Sequence, residues 1–544
     1  MSWLTSFFRS KPAPEKPVFK EKFSALYEDL LDGGQPHGYE RTSLEDILDG
    51  RWVGSQFWEE LLLLKVNQTL LQDLLGSLTE ARLFEIKGVV SEISTVCVHY
   101  LSDYNLLRIS HSLETLTLLF QQIGRKRFSE RGLGLIKVLA GGEQCADKFF
   151  SKLIGNVSTI IENPSTPAPL LLLALKFILI VLTLTDGINQ NAIVGYFMIH
   201  DLYNPLLALI SREGAESIHR SAIVALSLLL GWKESKNPYL GKLQFATSAQ
   251  LAILLKSISV LLAPPSVPAE KASVLGWGAE LPPSPEQPIA YLSNWHGYQA
   301  LEKEDAGAAV LLDWRSSCAP LAALKLLKGL LQEHALLHEP SAWSAPPVNT
   351  QQPSSGPTSL QAHWGVTLGR ALCFCAACFG AIPGGDADRT ATEPDAALLC
   401  ASFLRSMVEE DATLGLLMRA DIAALVGPGT VPAPSLDGKY AARPVAVAIL
   451  TLAVGLLSRG ACSDLQQAAG GSASSRAGGS RPRDAAVESV AMYIVHRLLH
   501  FSVTAGRPMH FEWGILWQAL ISTLRRHADP AAFERPRVSL LLSQ

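Results

Sequence analysis

The chain has 544 residues, 48% of them hydrophobic and 18% charged, and 46 basic against 50 acidic residues leave a net charge of −4. That length and apolar content suffice for a large core, divided into roughly three or four ordinary domains or built as one continuous stack. The charge balance excludes an overall attraction to nucleic acid or anionic lipid, so any such binding has to be local.

The start, MSWLTSFFRSKP, sets Trp3, Leu4, Phe7 and Phe8 on one side of a helical turn, followed by Arg9 and Lys11. It lacks the long apolar core of a signal peptide, and Ser2 stands where myristoylation needs glycine. Residues 1–17 read as a flexible arm, with Trp3, Phe7 and Phe8 as candidate membrane contacts. In FWEELLLLKVN, Phe57, Leu61 and Leu64 form an apolar stripe that Trp58 widens, and Glu59 and Glu60 favour the helix N-terminus.

From Ile86, the residues Val89, Val90, Ile93, Val96, Cys97 and Tyr100 step by three and four. Leu106, Ile109, Leu113, Leu116 and Phe120 repeat the pattern on a second helix. Neither helix can bury its stripe alone, and the short connector 102–104 makes the two neighbours antiparallel. The fold class expected is an all-α, armadillo/HEAT-like α-solenoid interrupted by long Pro/Gly/Ser-rich loops. After Gly124, the cations Arg125, Lys126 and Arg127 suit the carbonyl end of a helix, with contact to acidic lipid head groups as the functional alternative.

The run PLLLLALKFILIVLTLT, Pro169 to Thr185, is at the lower limit of about 17 residues for a membrane span. Lys176 at its centre costs on the order of 3 kcal/mol in a bilayer, which favours a buried inner helix and keeps an integral protein as the alternative. Beyond it, TLTDGINQNAIVGYF offers Asn189 or Asn191 as a helix cap, and exposed amides there would also read an extended peptide.

Proline and glycine then punctuate the chain. Residues 18–262 read as an N-terminal helical-repeat solenoid, 263–300 as a Pro-rich linker, 301–339 as a helical segment and 340–360 as a Pro/Ser-rich linker. A C-terminal helical region covers 361–524 with a disordered insert at 463–485, and 525–544 form a tail. Within that region MHFEWGILWQAL carries Trp513 and Trp517, a candidate partner surface.

Motifs of chemistry are missing: there is no P-loop, no GxGxxG after a strand, no GxSxG elbow and no HExxH. His334 and His338 lie one helical turn apart without a third zinc ligand, and Cys373, Cys375 and Cys378 in CFCAACF suit helix packing. No enzyme, metal site or cofactor is expected. Eight scattered cysteines without a small secreted framework fit a reducing, cytosolic compartment.

Several phrases, in order, resemble the armadillo-like helical domain-containing protein 3 family. They are VFKEKFSALYEDLL from Val18, QFWEELLLLKVNQ from Gln56, LTLTDGINQNAIVGYFMIH from Leu182, NPYLGKLQFA from Asn237, RPVAVAILTLAVGLL from Arg443 and MHFEWGILWQALISTL from Met509. The resemblance implies a non-catalytic helical protein of the cytosol, peripheral on Golgi membranes. It further implies phosphatidylinositol 4-kinase beta and the large Golgi Arf exchange factor as partners, and support of Golgi phosphatidylinositol 4-phosphate. Members of the family continue with more helices after the tryptophan-rich segment, so a shortened C-terminus is expected. A general cytosolic scaffold is the alternative reading. Among the residues named, Trp58, Asn189, Asn191, Trp513 and Trp517 are the candidates for partner binding.

Overall fold

The computed structural model describes residues 21–126, 133–184, 191–212, 216–232, 237–262, 318–338, 357–378, 394–419, 444–469, 482–509, 511 and 513–527. Every regular element among them is helical, and the chain is an all-α solenoid. The Pro-rich linker read at 263–300 lies outside the described residues, as do 340–356 of the Pro/Ser-rich linker and 470–481 of the insert; 357–360, 463–469 and 482–485, read as linker or insert, belong instead to helices. The chain divides into two compact units, Met1–Asn156 and Val157–Gln544, a division that falls inside the segment 18–262.

The first unit holds α1 (Lys22–Asp32), α2 (Leu44–Leu48), α3 (Gln56–Leu61), α4 (Gln68–Ser77), α5 (Glu80–Glu85), α6 (Lys87–Tyr100), α7 (Leu106–Gly124) and α8 (Leu133–Leu139), and α9 (Glu143–Glu162) starts in it. Polar residues begin four of these helices. The side chains of Ser55, Asn67, Thr79 and Asn105 accept from the backbone N–H of Trp58, Leu70, Arg82 and Leu107, groups that a helix leaves without internal partners. Gly33 ends α1 at φ 90°, a left-handed conformation that costs glycine little.

Helices α6 and α7 pack together, with α4 against α7 and α2 and α8 against α6. Val90, Ile93, Val96, Cys97 and Tyr100 are buried as their spacing predicts, and so are Ile109, Leu113, Leu116 and Phe120. Leu106 departs from the pattern at 52% exposure, because it opens its helix directly after the Asn105 cap. Glu92 is buried on α6: its carboxylate accepts from Tyr39 Oη at 2.7 Å and Thr42 N at 3.1 Å, pinning the segment 39–42 onto the helix. Burial raises the Glu92 pKa.

The second unit repeats one design. Helices α10 (Ala168–Leu182), α11 (Val194–Ile199) and α12 (Tyr203–Ser211) are followed by α13 (Glu216–Leu230), α14 (Pro238–Gln244) and α15 (Ser248–Leu262), long, short and long again. A third set comprises α16 (Cys318–Glu333), a 3₁₀ turn (Ala335–His338) and α17 (Pro357–Cys378). A fourth comprises α18 (Pro394–Val408), α19 (Asp411–Leu417) and α20 (Val445–Ala469), and α21 (Pro482–Thr504) and α22 (Trp513–His527) complete the described residues.

Corresponding helices stack on one another. One layer runs α10, α13, α16, α18, α21 and the other α12, α15, α17, α20, α22, and each layer is held by contacts between successive members. The span Pro394–Val408, inside the helical region read at 361–524, supplies a full member of the first layer, with Pro394 at the helix start, where its missing N–H costs nothing.

Helix α10 is the apolar run around Lys176. Its 15 residues extend about 22 Å at 1.5 Å per residue, short of the roughly 30 Å of a bilayer core. Leu171, Ala174, Leu175, Phe177 and Ile178 are buried against protein. No single described helix is long and apolar enough to cross a membrane; α14 and α15 reach the required length only jointly, across a bend of 107°.

Candidate interaction surfaces

The joints between long and short helices carry the recurring chemistry of the second unit. At the first, Asn191 donates from Nδ2 to Val181 O at 2.7 Å and accepts at Oδ1 from Ile193 N at 3.0 Å. At the second, Asn237 donates to Leu229 O and Trp232 O at 2.9 and 3.0 Å and accepts from Tyr239 N at 3.0 Å. Each buried amide thus closes the end of one helix and opens the next. The two lie 46 residues apart, within the roughly 40–47-residue period of HEAT and armadillo repeats.

At the third joint His334 opens the next element as the asparagines do, but its other ring nitrogen reaches back to the previous repeat rather than to the end of α16. Its Nδ1 accepts from Leu336 N at 3.2 Å, two residues on as in both asparagines, which puts the proton on Nε2, 2.9 Å from Ala246 O. Both ring nitrogens thereby have backbone partners. Among the described residues no group of three metal-ligating side chains is suited to an ion. At the fourth joint Arg497 reaches from α21 to Val408 O, Glu409 O and the Asp411 carboxylate.

Further polar links run between neighbouring repeats. Tyr239 Oη accepts from Leu202 N and donates to Phe197 O, both at 3.0 Å. Ser227 donates to Ala322 O at 2.7 Å, Thr367 to Leu255 O at 2.9 Å and Arg370 to Ser259 O at 2.8 Å. Cys375 and Cys378 meet Cys400 of α18 in the interior, where burial pushes the Cys400 thiol well up and leaves it a neutral packing group.

The residues singled out from sequence separate into three groups. Trp58 is 1% exposed, edge-on to the Phe57 and Tyr39 rings, and its indole Nε1 has no hydrogen-bond partner. Asn191 is likewise buried. The structure therefore takes both out of the surface: Trp58 faces inward because α3 packs with its apolar side on the core, and Asn191 because its amide is spent on backbone. Lys126 also differs from a free cation. It donates to Gly76 O at 2.6 Å and Leu78 O at 2.5 Å, closing α4 rather than its own helix, and burial lowers its pKa. Arg125 beside it is exposed. Trp513 and Trp517 are 43% and 60% exposed on α22. Trp3, Phe7, Phe8, Arg127 and Asn189 lie outside the described residues.

Spacing alone missed one surface, at the α6–α7 corner. Arg108 is paired with Glu59 at 2.9 Å and Asp103 at 3.1 Å and lies over the Tyr100 ring, while His111 Nδ1 is 2.8 Å from Leu62 O. Trp52 packs edge-on against His99 and Tyr100. Around this frame Val53, Tyr104, Leu106 and Leu107 are exposed. The connector looked merely short and polar; its apolar side chains are visible as a surface only once the ion pairs fix the corner.

His99 in this frame has a pKa lowered by burial and by the Lys152 charge. The unfolded chain then binds a proton near the ordinary pKa of 6.5 that the folded chain resists, so stability is fully present above that pH and falls below it. His99→Gln is expected to reduce the loss of stability between about pH 7.5 and 5.5, by at most about 1.4 kcal/mol per pH unit. Urea titrations at the two pH values measure it, and an unchanged difference would refute the assignment. His363, lowered by burial and Lys256, supplies a remaining slope.

No family model matches the chain. Curated relatives do: the chain is 29% identical over 238 residues to armadillo-like helical domain-containing protein 3 of Homo sapiens and of Xenopus laevis, and 31% identical to that of Danio rerio. The matched stretch is 43% of this chain, narrower than the span of the phrases quoted from residue 18 to residue 524. It covers 32% of each relative, so the chain spans about a third of the length of the proteins it matches. By this shared sequence the chain is similar to the armadillo-like helical domain-containing protein 3 family.

Proposed function

We propose that the chain is a non-catalytic helical-repeat scaffold acting as a peripheral Golgi adaptor. In this reading it holds a segment of phosphatidylinositol 4-kinase beta and supports Golgi phosphatidylinositol 4-phosphate together with the large Arf exchange factor. The observation that carries a binding role is the α6–α7 corner, where Tyr104 and Val53 are 93% and 95% exposed on a rigid frame. An exposed aromatic and aliphatic cluster with one unbalanced negative charge, Glu59 and Asp103 against Arg108, suits an apolar segment flanked by basic residues. The kinase and the membrane come from family resemblance, and the stacked architecture is compatible with holding an extended segment.

The test is quantitative recovery of phosphatidylinositol 4-kinase beta from cell lysate on the immobilised chain, against an unrelated solenoid of equal size. Specific recovery that falls at least about tenfold with Tyr104→Glu, about 1.4 kcal/mol, supports the reading. Circular dichroism checks that the variant keeps its helices. No enrichment over the control solenoid would overturn the kinase role; recovery unaffected by Tyr104→Glu would remove the corner from it.

A further inference from the structure

The second-layer helices α12, α15 and α17 contain no Asp or Glu, and their fixed charges are Lys256 on α15 and Arg370 on α17. Helices α15 and α17 pack on each other along a seam. Across it Thr367 donates to Leu255 O at 2.9 Å and Arg370 Nη1 to Ser259 O at 2.8 Å, so the helices run in the same direction and Lys256 falls between the two bonded levels. On α17, His363, Thr367 and Arg370 step by four and three and stay within an arc of about 60° at 100° per residue. Thr367 is buried at the floor of the seam, His363 and Arg370 are half-buried at its rim, and Lys256 is exposed on the facing helix.

Arg370 Nη1 closes the last turn of α15 through Ser259 O, an ordinary capping role. Its Nε and Nη2, the side-on edge of the guanidinium, have no partner among the described residues, and neither Lys256 Nζ nor the His363 ring is paired with a carboxylate there. Burial lowers the Arg370 pKa with no acidic neighbour to offset it, and burial together with the Lys256 charge lowers that of His363. Two fixed cations and an imidazole thus face one seam with nothing among the described residues to balance them, so an anion seated there gains from each.

We propose that the α15–α17 seam binds a phosphate monoester, borne by a phosphorylated serine or threonine of a polypeptide segment, between Lys256, His363 and Arg370. The phosphoryl group carries about −1.5 to −2 charges at neutral pH and offers three acceptor oxygens. The free edge of Arg370 matches two of those oxygens in a fork, Lys256 supplies a point charge from the facing helix, and His363, protonated as the anion approaches, supplies a further donor. A carboxylate brings about half the charge and leaves one cation unbalanced. Free phosphate has too little surface to be held well by an open seam, whereas a polypeptide adds contacts on either side of the group. An acidic membrane calls for clusters of about four to eight Lys or Arg, well beyond Lys256 and Arg370. The seam belongs to the second unit and the corner assigned to the kinase to the first, so either reading can fail without the other.

Imidazole NMR of the full chain tests the proposal, with the His363 signal assigned by its loss in His363→Gln. A short Gly/Ala peptide with a central phosphoserine is expected to move that signal towards its protonated position along a saturable curve, with a Kd in the millimolar range or below. The same peptide with aspartate in its place is expected to bind at least about fivefold more weakly, and so is inorganic phosphate. Lys256→Gln, at an exposed position, is expected to keep the helical circular dichroism and to weaken the phosphopeptide at least about fivefold. Arg370→Lys, which keeps the charge and a donor for Ser259 O, is expected to do the same by losing the fork. A His363 signal that stays in place up to about 50 mM peptide overturns the proposal, as does a curve unchanged in both variants. Inorganic phosphate that binds as tightly as the peptide overturns the polypeptide source. So does preferential binding of phosphatidylcholine vesicles doped with phosphatidic acid, which would assign the seam to lipid.

Discussion

Replacing Asn237 by alanine is expected to lower the stability of the second unit by about 3–5 kcal/mol, although the change removes only a short side chain on no catalytic or binding path. The loss comes from what the amide leaves behind. Leu229 O, Trp232 O and Tyr239 N all rely on it, and the site is 6% exposed, so water is a poor substitute. Each orphaned backbone group costs roughly 1–3 kcal/mol, partly relieved by local relaxation. Asn191→Ala removes one donor contact fewer and is expected to cost about 2–3 kcal/mol. Asn237→Asp keeps the cap acceptor but points a carboxylate at two carbonyl oxygens, so it should fall near the alanine variant rather than near the original. Urea unfolding of the three variants measures the series, and a cost below about 1 kcal/mol for Asn237→Ala would refute the joint as a stabilising device.

Trp58→Ala is expected to cost about 3–5 kcal/mol, the usual range for emptying a core indole. Trp58→Phe should cost far less, because the unpartnered Nε1–H that it deletes is a desolvated donor whose loss offsets part of the lost contact area. A partner anchor would behave the other way round, with stability kept and recovery of the partner lost. Denaturation midpoints together with pull-down recovery separate the two, and a fully stable Trp58→Ala that no longer retains a partner would return Trp58 to the surface.

What could be read from the sequence was whatever one helix shows by itself. The stripes of α6 and α7 needed only the spacing of Val90 to Phe120, and an asparagine before Ile193, Asn189 or Asn191, could be read as a cap from its residue type, while Asn237 was not singled out. The repeat was hidden because its third joint uses a different residue, His334, after a long stretch of intervening chain. Histidine carries no signal for helix capping until the carbonyl of Ala246 is placed beside it. Trp58 was ambiguous for a similar reason, since an indole suits a core and an interface equally and only its enclosure decides. Lys126 could be assigned to a helix end but not to which helix, because the carbonyls it closes lie some fifty residues upstream on α4.

In the second unit the long helices pack against members of neighbouring repeats, and stretches of chain of very different length join them. For any polymer, lengthening such a tether from a handful of residues to roughly fifty adds only about 2 kcal/mol of closure entropy, a cost that one pair of stacked helices can outweigh. Between Leu262 and Cys318 the stack resumes with α16 on α13 as though the repeats were adjacent. Chain length and repeat number are therefore separate variables in this architecture. Two proteins of this kind can differ by a hundred residues and present the same succession of helices, or match in length and differ by a whole repeat.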